Sequence, residues 1–166
     1  MRNFFAIALL SLSIAACGGP TEAPQVPAEP HEYLSNLRQL TFGGQNAEAY
    51  WSPDGKKLVF QSTRDGAECD QIYVMKADGS DVHRVSTGKG ATTCGYFLSD
   101  NKSIVYASTH VAGDACPPRP DRRKGYVWPV HTGYDIFLTD EQGAEPKRLT
   151  DAEGYDAEAT VNWKTN

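Results

Sequence analysis

The chain contains one segment twice, and it begins the same segment a third time near its end. The first copy runs from residue 51 to residue 63 and the second from residue 97 to residue 109, so the two start 46 residues apart. Repeats of this spacing are typical of architectures in which one unit cannot bury its own apolar face and needs a neighbour. The repeat therefore restricts the fold to an array of similar units packed side by side.

Each unit has the pattern of short strands joined by tight turns. The apolar runs are rich in β-branched and aromatic residues and are bounded by Gly, Asp, Asn or Pro. The predicted strands lie at about 47–51, 56–63, 70–76 and 81–86 in the first unit, and at about 93–98, 103–109, 134–139 and 145–150 in the second. Four antiparallel strands per unit predict an all-β fold of propeller blades. Trp51 and Phe97 hold equivalent positions and are predicted to lie in the core between units.

Three motifs of the first unit occur together in one known type of repeat. They are Ser-Pro-Asp-Gly-Lys-Lys-Leu-Val-Phe at 52–60, Arg-Asp-Gly at 64–66, and Ile-Tyr-Val-Met at 72–75 followed by Ala-Asp-Gly at 77–79. Over about residues 37–166 the chain resembles the TolB-type, WD-like β-propeller repeats. The resemblance implies an incomplete propeller with blades at about 47–86 and 93–150, one preceding strand, and the start of a third blade at 155–166.

The number of units is small for this architecture. A propeller closes its ring with about four to eight blades, and an unclosed array exposes a strand edge and an apolar blade face. We therefore expect the sequence to be a piece of a longer protein, with assembly from several copies as the alternative.

The first 36 residues have the pattern of an export signal followed by a linker. Arg2 precedes an apolar run that ends in small residues before Cys17, and the run is too short to span a bilayer. Residues 1–16 resemble a bacterial lipoprotein signal peptide, which implies that Cys17 becomes the lipidated N-terminus; an ordinary secretory cleavage site is the alternative. Its prolines make the segment 17–36 a semi-rigid spacer. We expect a lipid-anchored protein of the cell envelope, at the outer membrane facing the periplasm, whose only membrane contact is that lipid.

The charge balance argues against one class of partner. The formal net charge is −5, and it becomes −6 once residues 1–16 are removed. Because a nucleic-acid-binding protein needs a basic face, we expect no nucleic-acid partner. The sequence also lacks the motifs of serine hydrolases, zinc peptidases and phosphate-binding loops. We expect no catalytic residue, no metal site and no cofactor.

The second unit differs from the first by an insertion at residues 110–133, between its second and third strands. Loops longer than about 12 residues in compact domains are usually functional or disordered. This insertion combines a basic run with aromatic residues of the types favoured at binding hot spots. The candidate binding residues are Arg119, Arg122, Arg123, Tyr126, Trp128 and His131. A structural flap that covers blade surface is the alternative.

Three further cysteines, Cys69, Cys94 and Cys116, are predicted to lie on the same face of a propeller. An oxidising periplasm favours a disulfide. Cys94–Cys116 is the preferred pair, because it would staple the insertion to its own blade through a loop of 22 residues, worth ~3 kcal/mol in the chain-entropy model. Cys69–Cys94 is an alternative pair. A zinc site that includes His110 is a further alternative, although the close ligand spacing of zinc motifs is missing.

The resemblance implies a non-enzymatic envelope lipoprotein that binds a protein or a cell-wall component through its loop face. Two enzyme classes use similar repeats and stay as alternatives. In prolyl-oligopeptidase-type serine peptidases the propeller gates a catalytic domain, which here would lie beyond residue 166. In propeller polysaccharide lyases a metal and a histidine act on the propeller face, and only His110 and His131 could begin such a site.

Overall fold

The computed structural model describes residues 33–165. The chain divides into two compact units, residues 1–39 and residues 40–166. Within the first unit only residues 33–39 are described, and they form no strand. The signal peptide, Cys17 and most of the linker therefore lie outside the described residues. The following paragraphs concern the second unit.

Eight strands form two four-stranded antiparallel sheets. Blade 1 contains β1 (Asn46–Trp51), β2 (Lys57–Ser62), β3 (Gln71–Lys76) and β4 (His83–Arg84), paired in that order. Blade 2 contains β5 (Thr92–Phe97), β6 (Ser103–Ser108), β7 (Asp135–Asp140) and β8 (Lys147–Arg148), also paired in order. The all-β prediction and the two four-stranded blades are confirmed, although β4 and β8 are shorter than predicted. No helix that could cross a membrane is found in residues 33–165.

The innermost strand of each blade carries a β-bulge at the same place. The register shifts between Ala47 and Tyr50 in blade 1 and between Thr93 and Tyr96 in blade 2. Within the two bulges, Glu48 has φ 50° and Cys94 has φ 51°. A positive φ is uncommon for residues other than glycine, so its repetition shows that the two strands follow one backbone design.

The segment predicted to begin a third blade shares that backbone. Glu158 holds the position that Glu48 and Cys94 hold in the two blades, and its φ is 61°. Within residues 151–165 the segment pairs with no other strand. The start of this segment therefore has the backbone conformation of an innermost strand, but it forms no hydrogen-bonded sheet within the described residues.

The main core lies between the two blades. Its buried side chains come from both sheets and are Val59, Ile72, Val74 and Val85 of blade 1 with Phe97, Ile104, Tyr106 and Phe137 of blade 2. Gly95 allows β5 to approach blade 1 closely, because a Cβ at this position would lie 3.0 Å from Val59 Cγ2 and 3.1 Å from Ile72 Cγ2. Phe97 is 1% exposed and confirms its predicted core position.

Trp51 does not lie between blades, and that prediction is wrong. Its side chain is 50% exposed, although it occupies the position of Phe97 in the repeat. The inner face of blade 2 packs on blade 1, whereas no blade packs on the corresponding side of blade 1 in the part of the chain that is described. Equivalent sequence positions therefore differ in burial because their neighbours differ.

Extended chain covers the outer faces of both blades. On blade 1, Leu40 packs against a cluster of buried side chains, namely Leu58, Phe60, Tyr73 and Met75. On blade 2, alternate residues of the C-terminal segment pack against Val105, Ala107 and Ile136; they are Ala157, Ala159 and Val161. The Trp163 indole also donates a hydrogen bond to the Phe97 carbonyl at 3.0 Å. The apolar faces that an unclosed array would expose are thus partly shielded.

Candidate binding site on the insertion

The insertion at 110–133 lies at the end of blade 2 where β6 connects to β7. The corresponding connection in blade 1, between β2 and β3, has only residues 63–70. Backbone contacts tie the insertion to the connection between the blades, because the Gly90 amide donates to the Asp114 carbonyl at 2.8 Å. Lys89 also forms an ion pair with Asp114 at 3.0 Å. The insertion is therefore attached to blade 1 as well as to blade 2.

A disulfide joins Cys69 to Cys116, and the preferred Cys94–Cys116 prediction is wrong in this structure. The alternative Cys69–Cys94 pair is wrong too. The two bonded residues have their Cα atoms 5.9 Å apart and lie in the connections between β2 and β3 and between β6 and β7. The disulfide therefore links the two blades instead of closing a loop within blade 2.

Cys94 is a free, buried thiol. Its position at the bulge of β5 turns the side chain inward, where it is 3% exposed and its sulfur lies 3.2 Å from Thr93 Oγ1. Burial raises the pKa of this thiol to about 11. The predicted Cys94–Cys116 disulfide is wrong because the Cys94 thiol is buried at the bulge of β5 and does not lie on the loop face.

The zinc alternative is not supported by the described residues. In residues 33–165 no group of three or more His, Cys, Asp or Glu side chains could hold a metal ion. His110 instead stacks on Phe137 at a centroid distance of 4.3 Å, and its Nδ1 lies 2.8 Å from Ser108 Oγ. Burial lowers the pKa of His110. Its role here is packing at the start of the insertion.

A cleft of about 250 Å³ separates the insertion from the blades. We call it the insertion cleft. The insertion contributes five of the six candidate binding residues to its lining, which are Arg119, Arg122, Tyr126, Trp128 and His131. Arg123 is not part of the lining. The structure therefore brings most of the predicted site residues together around one cavity.

The part of the lining that the blades contribute includes a polar group. Gln61 donates from Nε2 to Asp70 Oδ2 at 3.0 Å, and its Oε1 accepts from Thr93 Oγ1 at 3.1 Å and from the Cys94 amide at 3.2 Å. Burial raises the pKa of the Asp70 carboxyl, and the hydrogen bond from Gln61 opposes that shift. This part of the lining is thus a hydrogen-bonded group to which both blades contribute.

Aromatic side chains form the walls of the cleft. Tyr126 is 73% exposed and Trp128 is 60% exposed. Tyr134 and Tyr155 also line the cleft and contact each other edge to face, with their ring centroids 5.6 Å apart. A flap would bury its aromatic residues against the blade, so the exposure of Tyr126 and Trp128 favours recognition.

Sequence reasoning missed Gln61, Asp70, Tyr134 and Tyr155. The first two lie near the end of β2 and just before β3, where they look like polar residues at strand ends. The two tyrosines flank β7 and the C-terminal segment and have no motif of their own. Only the proximity of the insertion to blade 1, which the disulfide creates, makes them part of one site.

A larger cleft of about 640 Å³ lies at the opposite end of the blades. Its lining includes Lys57, Val74, Met75, His83 and Glu141. Lys57 forms an ion pair with Glu141, and His83 Nε2 lies 2.7 Å from the Glu141 carbonyl. Lys57, His83 and Glu141 are therefore already engaged in contacts between the blades, and we place the candidate site at the insertion.

Comparison with known proteins gives partial matches. No protein-family model matches the chain. The chain is 24% identical over 130 residues to an uncharacterized peptidase, YuxL, of Bacillus subtilis, a match that covers 72% of this chain and 20% of the relative. It is 54% identical over 52 residues to the Tol-Pal system protein TolB of Geobacter sulfurreducens, covering 31% of this chain and 12% of the relative.

Solved structures of TolB proteins are similar in fold. The putative TolB from Agrobacterium tumefaciens superimposes with a TM-score of 0.55 at 24% identity, over 74% of this chain and 39% of that protein. TolB from Acinetobacter baumannii gives 0.52 at 24% identity, over 75% and 26%. The chain therefore has a TolB-like fold and carries part of a TolB-like β-propeller. It spans 20% and 12% of the lengths of the two curated relatives.

Proposed function

We propose that the chain is a cell-envelope lipoprotein that acts as a non-enzymatic binding or scaffold module through the insertion face of its TolB-like propeller. The observation that carries the proposal is the insertion cleft. It presents exposed aromatic and basic side chains on a loop that the Cys69–Cys116 disulfide fixes to two rigid sheets. Functional residues on loops held by a rigid scaffold are the usual arrangement for binding proteins.

The fold supports an envelope location. The chain resembles TolB of the Tol-Pal system in sequence and TolB proteins in structure. The lipid anchor on Cys17 and the outer-membrane position facing the periplasm belong to the same proposal. A protein or a cell-wall component is the expected partner class.

Replacement of both Tyr126 and Trp128 by Ala tests the binding role. A photo-crosslinking residue at position 130, beside the aromatic pair, should give a specific crosslinked product in cells. The double substitution should abolish that product while the melting temperature stays nearly unchanged, because both side chains are exposed. A crosslinker at the exposed Val82, on β4's side of blade 1, serves as the control. A large drop in melting temperature would instead identify the insertion as a structural flap.

The anchor has its own test. Cells that express the wild-type chain should incorporate a labelled fatty acid into the protein, and the Cys17→Ser variant should not. Label in the Cys17→Ser variant, or none in the wild type, would remove lipidation from the proposal.

One observation favours a second candidate, in which the blades are the non-catalytic propeller of a longer peptidase. The match to YuxL covers 72% of this chain. The reading frame after residue 166 discriminates the two candidates. A Gly-x-Ser-x-Gly segment downstream would favour the peptidase, and further Ser-Pro-Asp-Gly repeats followed by a stop would favour the binding module. The polysaccharide lyase alternative has no such observation in residues 33–165.

A further inference from the structure

The charge of the insertion differs in sign from that of the rest of the chain. Residues 110–133 carry four cationic and two acidic side chains, a formal net charge of +2, whereas the remainder carries −7. The cationic residues are Arg119, Arg122, Arg123 and Lys124. A local patch of one sign on a chain of the other sign attracts a ligand of complementary charge to that patch.

Two of the arginines have no acidic partner within the described chain. Arg123 is already paired, since its Nε and Nη2 donate to the Asp121 carboxylate at 2.9 and 2.7 Å. Arg119 and Arg122 form no ion pair with any carboxylate in residues 33–165. Their guanidinium groups are therefore free to bind a carboxylate in the bidentate manner that arginine favours.

The two unpaired arginines lie between two cavities. Residues 116–122 stand between the insertion cleft and a second cavity of about 420 Å³, and both Arg119 and Arg122 line both cavities. The segment is fixed at one end by the disulfide and is stiffened by prolines at 117, 118 and 120. The Arg122 guanidinium also lies over the Tyr126 ring, 5.5 Å from its centroid. Such preorganisation reduces the entropy lost on binding.

Apolar surface lies directly beside these charges. Tyr126 and Trp128 line the insertion cleft with their rings largely exposed. Grooves lined by aromatic residues bind extended proline-containing peptides, because such peptides lose little conformational entropy on docking. A ligand that matches both features carries carboxylates separated by proline or other apolar residues.

We propose that the insertion cleft and its neighbouring cavity bind an extended acidic peptide segment, with its carboxylates on Arg119 and Arg122 and its apolar residues on Tyr126 and Trp128. This inference rests on the proposed function and names the chemistry of the partner. A long polyanion such as a nucleic acid fits less well, because it would extend beyond the insertion onto the rest of the chain, whose formal net charge is −7. Two carboxylates also line this surface, Asp70 in both cavities and Glu68 in the second. The peptide carboxylates therefore bind at Arg119 and Arg122 and not at the part of the surface that these two residues form.

Fluorescence anisotropy with the full chain in detergent tests the proposal. The probes are a labelled peptide of alternating proline and glutamate and the same peptide with glutamine in place of glutamate. The protein variants are Arg119→Gln, Arg122→Gln and the double variant. Arg123→Gln is the matched control, because it removes the same charge from an arginine that is already paired. Circular dichroism verifies that each variant keeps its β-sheet signal.

The glutamate peptide should bind at least about tenfold more tightly than the glutamine peptide, because the glutamine peptide cannot form the charge-assisted bidentate contact. The double variant should weaken binding of the glutamate peptide by about tenfold or more, and Arg123→Gln should change it by less than about twofold. Equal binding of the two peptides, or equal losses in the double variant and in Arg123→Gln, would overturn the inference. Heparin that displaces the labelled glutamate peptide as well as the unlabelled glutamate peptide does would also overturn the inference. If these results occur while crosslinking at position 130 still depends on Tyr126 and Trp128, the proposed function stands and only the peptide chemistry is wrong.

Discussion

Blade 1 and blade 2 share a backbone design and differ in what they carry at one end. Both have the same strand order, the same register between their second and third strands, and a bulge with positive φ in the innermost strand. Blade 1 joins β2 to β3 through residues 63–70, whereas blade 2 inserts residues 110–133 between β6 and β7. The repeated part builds the scaffold, and the part that is not repeated carries the candidate site.

The two blades also differ in what surrounds them. The inner face of blade 2 packs on blade 1, so its Phe97 is enclosed. The equivalent Trp51 has no blade against it within residues 33–165 and stays half exposed. A repeat thus fixes the local conformation of a residue, while its burial depends on the neighbouring unit.

Phe97→Ala and Trp51→Ala test this difference at equivalent positions. Phe97→Ala removes an aromatic ring from the core between the blades and should lower the free energy of unfolding by about 3–5 kcal/mol. Trp51→Ala should cost less than half of that, because half of its side chain already contacts water. Urea unfolding of the two variants beside the wild type measures both values. Equal losses would show that Trp51 is as buried as Phe97 and that the two blades do not differ in their surroundings.

Loss of the disulfide between the blades should have the next largest effect. The closed loop spans a sequence separation of 47 residues, which corresponds to about 4 kcal/mol in the chain-entropy model. The Cys69→Ser/Cys116→Ser double variant should therefore unfold at lower urea concentration. It should also lose binding at the insertion cleft, because Cys116 anchors the segment that carries Arg119 and Arg122. Thermal and urea unfolding are measured with and without reductant. If reductant leaves the stability of the wild-type protein unchanged, the disulfide does not contribute as predicted.

Gly95 tests how closely β5 approaches blade 1. The Gly95→Ala substitution places a Cβ against Val59 and Ile72 and should cost about 1–3 kcal/mol through overpacking. Gly113→Ala is the control, since a Cβ there meets nothing within 4 Å. It should change stability by less than about 0.5 kcal/mol. If both substitutions are neutral, β5 does not approach Val59 and Ile72 closely enough for a Cβ at position 95 to meet them.

Cys94 should show the smallest effect, limited to alkaline pH. Its folded pKa, about 11, is raised above the ordinary value of 9.0. The unfolded thiol therefore ionises first, and this group's contribution to stability is complete below about pH 9. That contribution falls as the pH rises from there through the folded pKa, and Cys94→Ala should remove that part of the pH dependence. Maleimide labelling of the native chain should stay slow at neutral pH and become fast on unfolding; rapid labelling of the folded chain would place Cys94 at the surface.

The sequence predicted those parts of the structure that depend on local pattern. The strand positions and the equivalence of the two units follow from alternation and turn residues, and the structure confirms them. The same reasoning gathered five cleft-lining residues from the insertion, because length and composition mark that loop as unusual.

The errors concern contacts between blades. Cys94 was paired with Cys116 because both lie in blade 2, but the bulge turns its thiol inward and Cys69 of blade 1 is the residue beside Cys116. Gln61 and Asp70 were missed for the same reason, since they enter the site only when blade 2's insertion crosses to blade 1. Sequence spacing within a unit carries no information about which loops of two units meet.

Disulfide mapping of the unreduced protein tests the central claim, that the insertion of blade 2 is fixed to blade 1. Proteolysis followed by mass spectrometry, after alkylation of free thiols in denaturant, identifies each cysteine's partner. We expect one crosslinked peptide pair that contains Cys69 and Cys116, with Cys94 alkylated. A crosslink between Cys94 and Cys116 would contradict it, because the insertion would then be tied to its own blade and the cleft shared by the two blades would not form.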